Sequence, residues 1–134
     1  MSQENVELVR KSWDAWFRGD LEGVVASYAE DVVWDMTHFR DWPDREYLGP
    51  AGARRFLAEW LDVWDAYEVG VEQFLVAPDG RVLILAWQRG RGRHSGIAMD
   101  MEWAMVTTVR DGKIIRIDNY DDRREAREAL GLRE

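Results

Sequence analysis

Three polar residues carry the chemistry this sequence could perform: Asp35, His38 and Asn119. Histidine titrates near neutral pH, so His38 is the natural general acid or base. It also opens a loop, a common setting for site residues. Asp35 would complete an acid–base pair with it within one hydrogen bond. That pairing needs a bulge. Alternation along an extended strand from Val32 puts Val32, Trp34, Met36 and His38 on one face and Asp35 on the other. Asn119 does not titrate, and its amide would orient a carbonyl or hydroxyl group. Two histidines and no cysteine form no recognisable ligand set, so neither a metal nor a cofactor is expected. The lack of cysteine also excludes disulfides and a thiolate nucleophile.

The elements that must hold these residues follow from periodicity and punctuation. Val6, Val9, Trp13, Trp16 and Phe17 recur at helical spacing, and Gly19 stops that helix. Ser2 is placed to cap its start and Asp20 to cap a second, short helix. Val32 to Met36 reads as a strand and Thr37 to Leu48 as a loop. Gly49-Pro50 opens a third helix with Phe56, Leu57, Trp60, Leu61 and Trp64 on its apolar face. The period then becomes alternating. Strands are expected from Tyr67 to Ala77, Arg81 to Gln88, Ala98 to Arg110 and Lys113 to Tyr120. Pro78-Asp79-Gly80 and Asp111-Gly112 are turn signals between them. A short helix capped near Asp121 or Asp122 ends at Gly131. Hairpin-joined strands are antiparallel neighbours, and helices set apart from such a meander pack on one of its faces. The sequence therefore predicts one α+β domain over residues 1–134.

Strand alternation also sorts a cavity wall. Met99, Met101, Trp103, Met105, Thr107 and Val109 share the inward face of the long strand. Ile115, Ile117 and Asn119 share that of the last strand, opposite Arg116 and Asp118, which read as an exposed pair suited to a dimer contact. Trp34, Met36, Trp16, Trp60, Met101, Trp103, Met105 and Ile117 are the expected ligand-binding set. A mostly apolar cavity with few placed polar groups is the usual form of a small-molecule site.

Bulk composition narrows the partners. The net charge of −8 repels phosphate backbones, so nucleic acid is not an expected partner. No apolar run approaches the roughly 18 residues of a membrane span. The polar, acidic start is unlike a signal peptide, and a cytoplasmic location is expected. Eight tryptophans and five methionines supply either a filled core or a pocket wall. The arginine-glycine stretch Arg89 to Gly96 reads as a mobile, solvated hairpin loop.

The order of elements resembles the nuclear transport factor 2-like (cystatin-like) superfamily, and within it the SnoaL-like proteins. The resemblance rests on Ala15-Trp16-Phe17-Arg18-Gly19-Asp20-Leu21, Tyr28-Ala29-Glu30-Asp31-Val32-Val33-Trp34, Gly49-Pro50-Ala51-Gly52-Ala53-Arg54-Arg55-Phe56, Arg110-Asp111-Gly112-Lys113-Ile114 and the tail from Asn119 to Ala126. It implies a cone-shaped, curved antiparallel sheet wrapped round three N-terminal helices, with a short C-terminal helix. It also implies a pocket at the open end and a homodimer through the outer sheet face. The superfamily holds polyketide cyclases, isomerases, hydrolases, dehydratases and non-catalytic binding domains, so fold alone does not name an activity. The acid–base set of ketosteroid isomerase would fall on Met36, Ser12 and Met105, which cannot perform it. The arginine between two aspartates of limonene epoxide hydrolase would fall within Arg81 to Gln88 and on Asn119, and is missing there. The inward faces carry no aspartate of the kind SnoaL-type cyclases use. The expectation is an apolar small-molecule binder, with a cofactor-free isomerase, cyclase, dehydratase or hydrolase reaction as one form. A non-catalytic ligand-binding or dimerisation module is the other.

Overall fold

A computed structural model of the chain describes residues 2–132, with Ser2 described by its backbone alone. The capping role read for Ser2 therefore lies outside the described side chains. Helix α1 (Ser2–Phe17) buries Val6, Val9, Ser12 and Ala15, one stripe at helical spacing. Gly19, at φ +76°, turns the chain out of it. Asp20 caps α2 (Leu21–Val25) by accepting from Gly23 N at 2.9 Å. Strand β1 (Tyr28–His38) leads to a short β2 (Glu46–Leu48) and then α3 (Gly49–Val63). Helix α3 buries Ala53, Phe56, Leu57 and Trp60. Strands β3 (Trp64–Val76), β4 (Val82–Gly92), β5 (Ala98–Arg110) and β6 (Lys113–Tyr120) follow, then α4 (Arg123–Ala129). Asp111 and Gly112 both hold positive φ, 54° and 74°, as a two-residue hairpin of the primed type requires.

The six strands form one curved, unclosed sheet in the order β2-β1-β6-β5-β4-β3. Helices α1 to α3 cover its inner face, where the larger core gathers Val9, Trp34, Phe56, Trp60, Ile84, Trp103 and Ile117. Register shifts interrupt the β1/β6, β3/β4 and β5/β6 ladders, and such bulges bend a sheet round its contents.

Several expectations are corrected. The sheet is not wholly antiparallel, because β1 runs parallel to β6. The chain reaches β6 from β1 only after α3 and the whole meander, a crossover long enough to permit parallel pairing. The segment read as a loop contains β2, which pairs with β1 through Val33, Trp34 and Asp35. Strand β3 begins at Trp64, which was assigned to the preceding helix. The arginine-glycine stretch is not a free loop. Strand β4 runs through Gly92, and Arg93 ties the hairpin to the α3–β3 junction through Asp62 and Asp65, each at 3.0 Å. Helix α4 packs on the outer face, sealing Leu83, Leu85, Ala104 and Val106 beneath Ala126 and Leu130. Finally, Ile114 rather than Ile115 joins Ile117 in the inner core. Thr108 pairs with Arg116 but Val109 with Ile114, so the skipped Ile115 shifts the alternation by one.

Candidate functional site

Between the inner sheet face and the helices lies a cavity of about 80 Å3. Its walls are aromatic because four elements turn their apolar faces to one point. Helix α1 supplies Trp13 and Trp16, β1 supplies Trp34 and Met36, α3 supplies Phe56 and Trp60, and β5 supplies Trp103 and Met105. Trp34 stacks on Phe56 at 4.8 Å, and Phe56 on Trp60 at 5.9 Å. After β1, Phe39 N bonds Met36 O at 3.0 Å and Trp42 N bonds Phe39 O at 3.2 Å. These turns lay Phe39 edge-on against Trp60 at 5.8 Å and Trp42 against Phe56 and Trp60. Tyr47 fastens this segment, accepting from Trp42 Nε1 and donating to Glu59 Oε1, both at 2.8 Å. Half-buried Trp13, Trp16, Phe39, Tyr67 and Val69 form the rim, and Ser12, Gln88 and Asn119 lie deeper.

The polar groups in the wall are neutral. Ser12 donates to Val24 O at 2.9 Å. Burial pushes the Tyr28 hydroxyl far above the usual phenol range, a rise partly offset by its hydrogen bond with Ser12. Burial likewise pushes Tyr67 up to about 12, and a hydrogen bond with Trp60 opposes that rise. Both phenols stay protonated at physiological pH and act as donors, not bases. Tyr67 donates to Oε1 of Gln88, which is 2% exposed. Asn119, 3% exposed, donates from Nδ2 to the Asp35 main-chain oxygen at 3.3 Å. The Trp34 indole N–H is buried without a partner. Among the described residues, no carboxylate and no imidazole lines the cavity.

The predicted residues divide accordingly. Trp16, Trp34, Met36, Trp60, Trp103, Met105 and Asn119 line the cavity. Met101 and Ile117 do not: Met101 packs at the edge of the inner core, and Ile117 lies within it. His38 is not inward. A register shift between Asp35 and His38 breaks the alternation, and His38 stacks face to face on Tyr120 at 4.3 Å, exposed on the outer side. Asp35 is 2% exposed, yet it too faces outward. Its Oδ1 accepts from Thr37 N at 2.8 Å and Thr37 Oγ1 at 2.6 Å, and its Oδ2 accepts from Arg116 Nη2 at 2.7 Å. Arg116 Nε also donates to Asp118 at 3.0 Å, so this pair is not simply exposed. Burial holds the Asp118 carboxyl above its ordinary range against the pull of Arg116. An arginine between two aspartates therefore exists here, but turned away from the cavity. No Asp35–His38 acid–base pair faces an inner ligand.

Sequence reading missed Gln88, Tyr67, Tyr28, Ser12, Phe39 and Phe56 as wall residues. Gln88 was legible, since alternation from Val82 through Ile84 and Ala86 leads to it. Tyr67 was legible in the same way, two residues before Val69, which also lines the cavity, and a bulge precedes it. Ala66 and Tyr67 together oppose Gly90, and Ala66 holds φ +53°, a strained value for a residue with a Cβ.

No helix among the described residues is long and apolar enough to cross a membrane. Nor do they gather three His, Cys, Asp or Glu side chains able to hold a metal ion. No curated protein matches the chain by sequence. Among solved structures, a nuclear transport factor 2-like protein from Burkholderia xenovorans LB400 is 27% identical, with TM-score 0.75 over 97% of this chain and 98% of that one. TerC, co-crystallised with polyporic acid, is 23% identical, with TM-score 0.74 over 96% of this chain and 98% of that one. A putative polyketide cyclase from Xanthomonas campestris pv. campestris is 24% identical, with TM-score 0.69 over 93% and 95%. The last two likenesses carry the fold alone. The sequence profile of the SnoaL-like domain matches residues 9–117, most of the chain, so this chain belongs to the SnoaL-like family.

Proposed function

We propose that this protein binds a small, largely apolar cyclic molecule in its inner cavity, held by ring contacts and oriented by Asn119. The observation that supports it is a cavity walled by Trp13, Trp16, Trp34, Phe56, Trp60 and Trp103 with neutral amides at its floor. The co-crystallisation of TerC with polyporic acid is in keeping with such a ligand. Reversible binding is the reading favoured over acid–base catalysis. A cyclase, isomerase, dehydratase or hydrolase acting by proton transfer needs a group that exchanges protons near neutral pH. The wall offers phenols that stay protonated and amides that do not titrate. A homodimer through the outer sheet face is part of the same proposal.

Five of the eight tryptophans line the cavity, so the test is direct. Titration with a panel of cyclic ketones, quinones and hydroxyaromatics should quench intrinsic fluorescence saturably. Mass spectrometry should recover the ligand unchanged. Folded protein that shows no saturable quenching with any of the panel would overturn the binding reading. A ligand converted many times over per protein molecule would restore the catalytic one.

A further inference from the structure

The two amides in the wall are not interchangeable, because their internal hydrogen bonds decide which end of each is free. The Tyr67 hydroxyl donates a hydrogen bond to Oε1 of Gln88. The Gln88 atom facing Tyr67 is then the oxygen, and Nε2 is left over. Asn119 meets the main-chain oxygen of Asp35, which can only accept, so its nitrogen is engaged and Oδ1 is left over. Among the described residues, neither leftover atom has a protein partner. The sealed, unpartnered side-chain polar atoms there are the indole nitrogens of Trp34 and Trp64. The free ends of Gln88 and Asn119 thus keep surface open to the cavity they line. Ser12 and Tyr28 satisfy each other and Val24 O, and leave no comparable vacancy.

The ladder sets these ends apart. Gln88 pairs with Met101, whereas Asn119 pairs with Met105, four residues along β5 and on its other side. Standard strand geometry puts the two backbones roughly 13 Å apart along the strands and roughly 10 Å across them. Side chains converging on the concave face shorten that span without closing it. The strained Ala66 and its bulge exist at the point that aims Tyr67 at Gln88, a placement typical of bulges beside binding sites.

Building on the small-molecule reading of this cavity, we infer that it selects a molecule with a hydrogen-bond acceptor at one end and a donor at the other. A rigid cyclic hydroxy-ketone fits. Its carbonyl accepts a hydrogen bond from Gln88 Nε2, and its hydroxyl donates one to Asn119 Oδ1. Gln88 and Asn119 are the specificity-determining contacts, and Tyr67 is a positioning residue that stops the Gln88 amide from turning over.

The test uses four ligands on one ring skeleton: hydroxy-ketone, ketone, alcohol and hydrocarbon. Wild type should bind the hydroxy-ketone tightest, losing roughly tenfold for each polar group removed. Gln88→Met should abolish the advantage of the carbonyl and keep that of the hydroxyl. Asn119→Leu should do the reverse. Tyr67→Phe should leave hydrocarbon affinity unchanged while the carbonyl advantage collapses, because the freed amide can present either end. A role of Tyr67 in packing alone would weaken all four ligands together. If Asn119→Leu does not fold, the Gln88→Met and Tyr67→Phe arms still decide. Equal binding of all four ligands by wild type overturns this inference but keeps the small-molecule site. Binding of none by folded wild type overturns that reading as well.

Discussion

The two faces of one sheet region, where β1 meets β6, are built on opposite chemistry. On the inner face Trp34, Met36, Ile117 and Asn119 present rings, aliphatic groups and one amide. On the outer face, one residue along, Asp35, Arg116, Asp118, His38 and Tyr120 form a charged, hydrogen-bonded cluster. The difference follows from what each face can solvate. Charges outside are paired, and the cluster reaches water through Arg116, 40% exposed at its side chain. Inside, an ion would lose its hydration for nothing in return, so polarity there is carried by neutral groups. The titratable residues that suggested catalysis belong to the face that holds the sheet together.

The comparison can be broken first from inside. Trp103→Ala should destabilise the protein by about 3–5 kcal/mol in urea denaturation and abolish ring-dependent ligand binding. From outside, Asp35→Ala strips Thr37 of its acceptor and Arg116 of one of its two. It should cost about 2–4 kcal/mol, while the protein that remains folded binds ligand as before. Asn119 bonds the main chain of Asp35, so that contact survives the substitution.

The faces should also differ in pH response. Tyr67 and Tyr47 are pushed up to about 12, from 10.0, by burial. The unfolded chain therefore releases these protons first. Stability from the inner rim and its aromatic belt is complete below about pH 10 and falls progressively towards about pH 12, as alkaline unfolding followed by circular dichroism should show. The Asp118 carboxyl on the outer face is also raised, so its favourable contribution is full in acid and is lost as pH rises through its folded range. Ligand affinity, resting on neutral groups, should be flat from about pH 6 to about pH 9. The smallest effect is expected for His38→Ala. It loses one exposed stack on Tyr120, costing about 0.5–1 kcal/mol, and should leave ligand affinity untouched.

Most of the fold was legible because it rests on local rules. The Asp20 cap, the stops at Gly19 and Gly131 and the turn at Asp111-Gly112 all lie where residue type demands. The aromatic wall was largely legible for the same reason, since Trp34, Met36, Trp103 and Met105 keep strict alternation. The errors cluster at bulges. A shift after Asp35 turned His38 outward, and the skipped Ile115 exchanged places with Ile114. One extra residue reverses every face beyond it, and nothing in periodicity announces where it falls. Parallel pairing of β1 with β6 and the seat of α4 on the outer face were beyond local reading too, because both join residues far apart in the chain.

The division between a neutral binding face and a charged structural face is tested most directly by nuclear magnetic resonance. The side-chain amide signals of Gln88 and Asn119 and the imidazole signals of His38 would be followed as a cyclic hydroxy-ketone is titrated in. Saturable shifts of both amides with His38 unmoved are the predicted result. Shifts at His38 with the two amides silent would place the ligand on the outer face and contradict it.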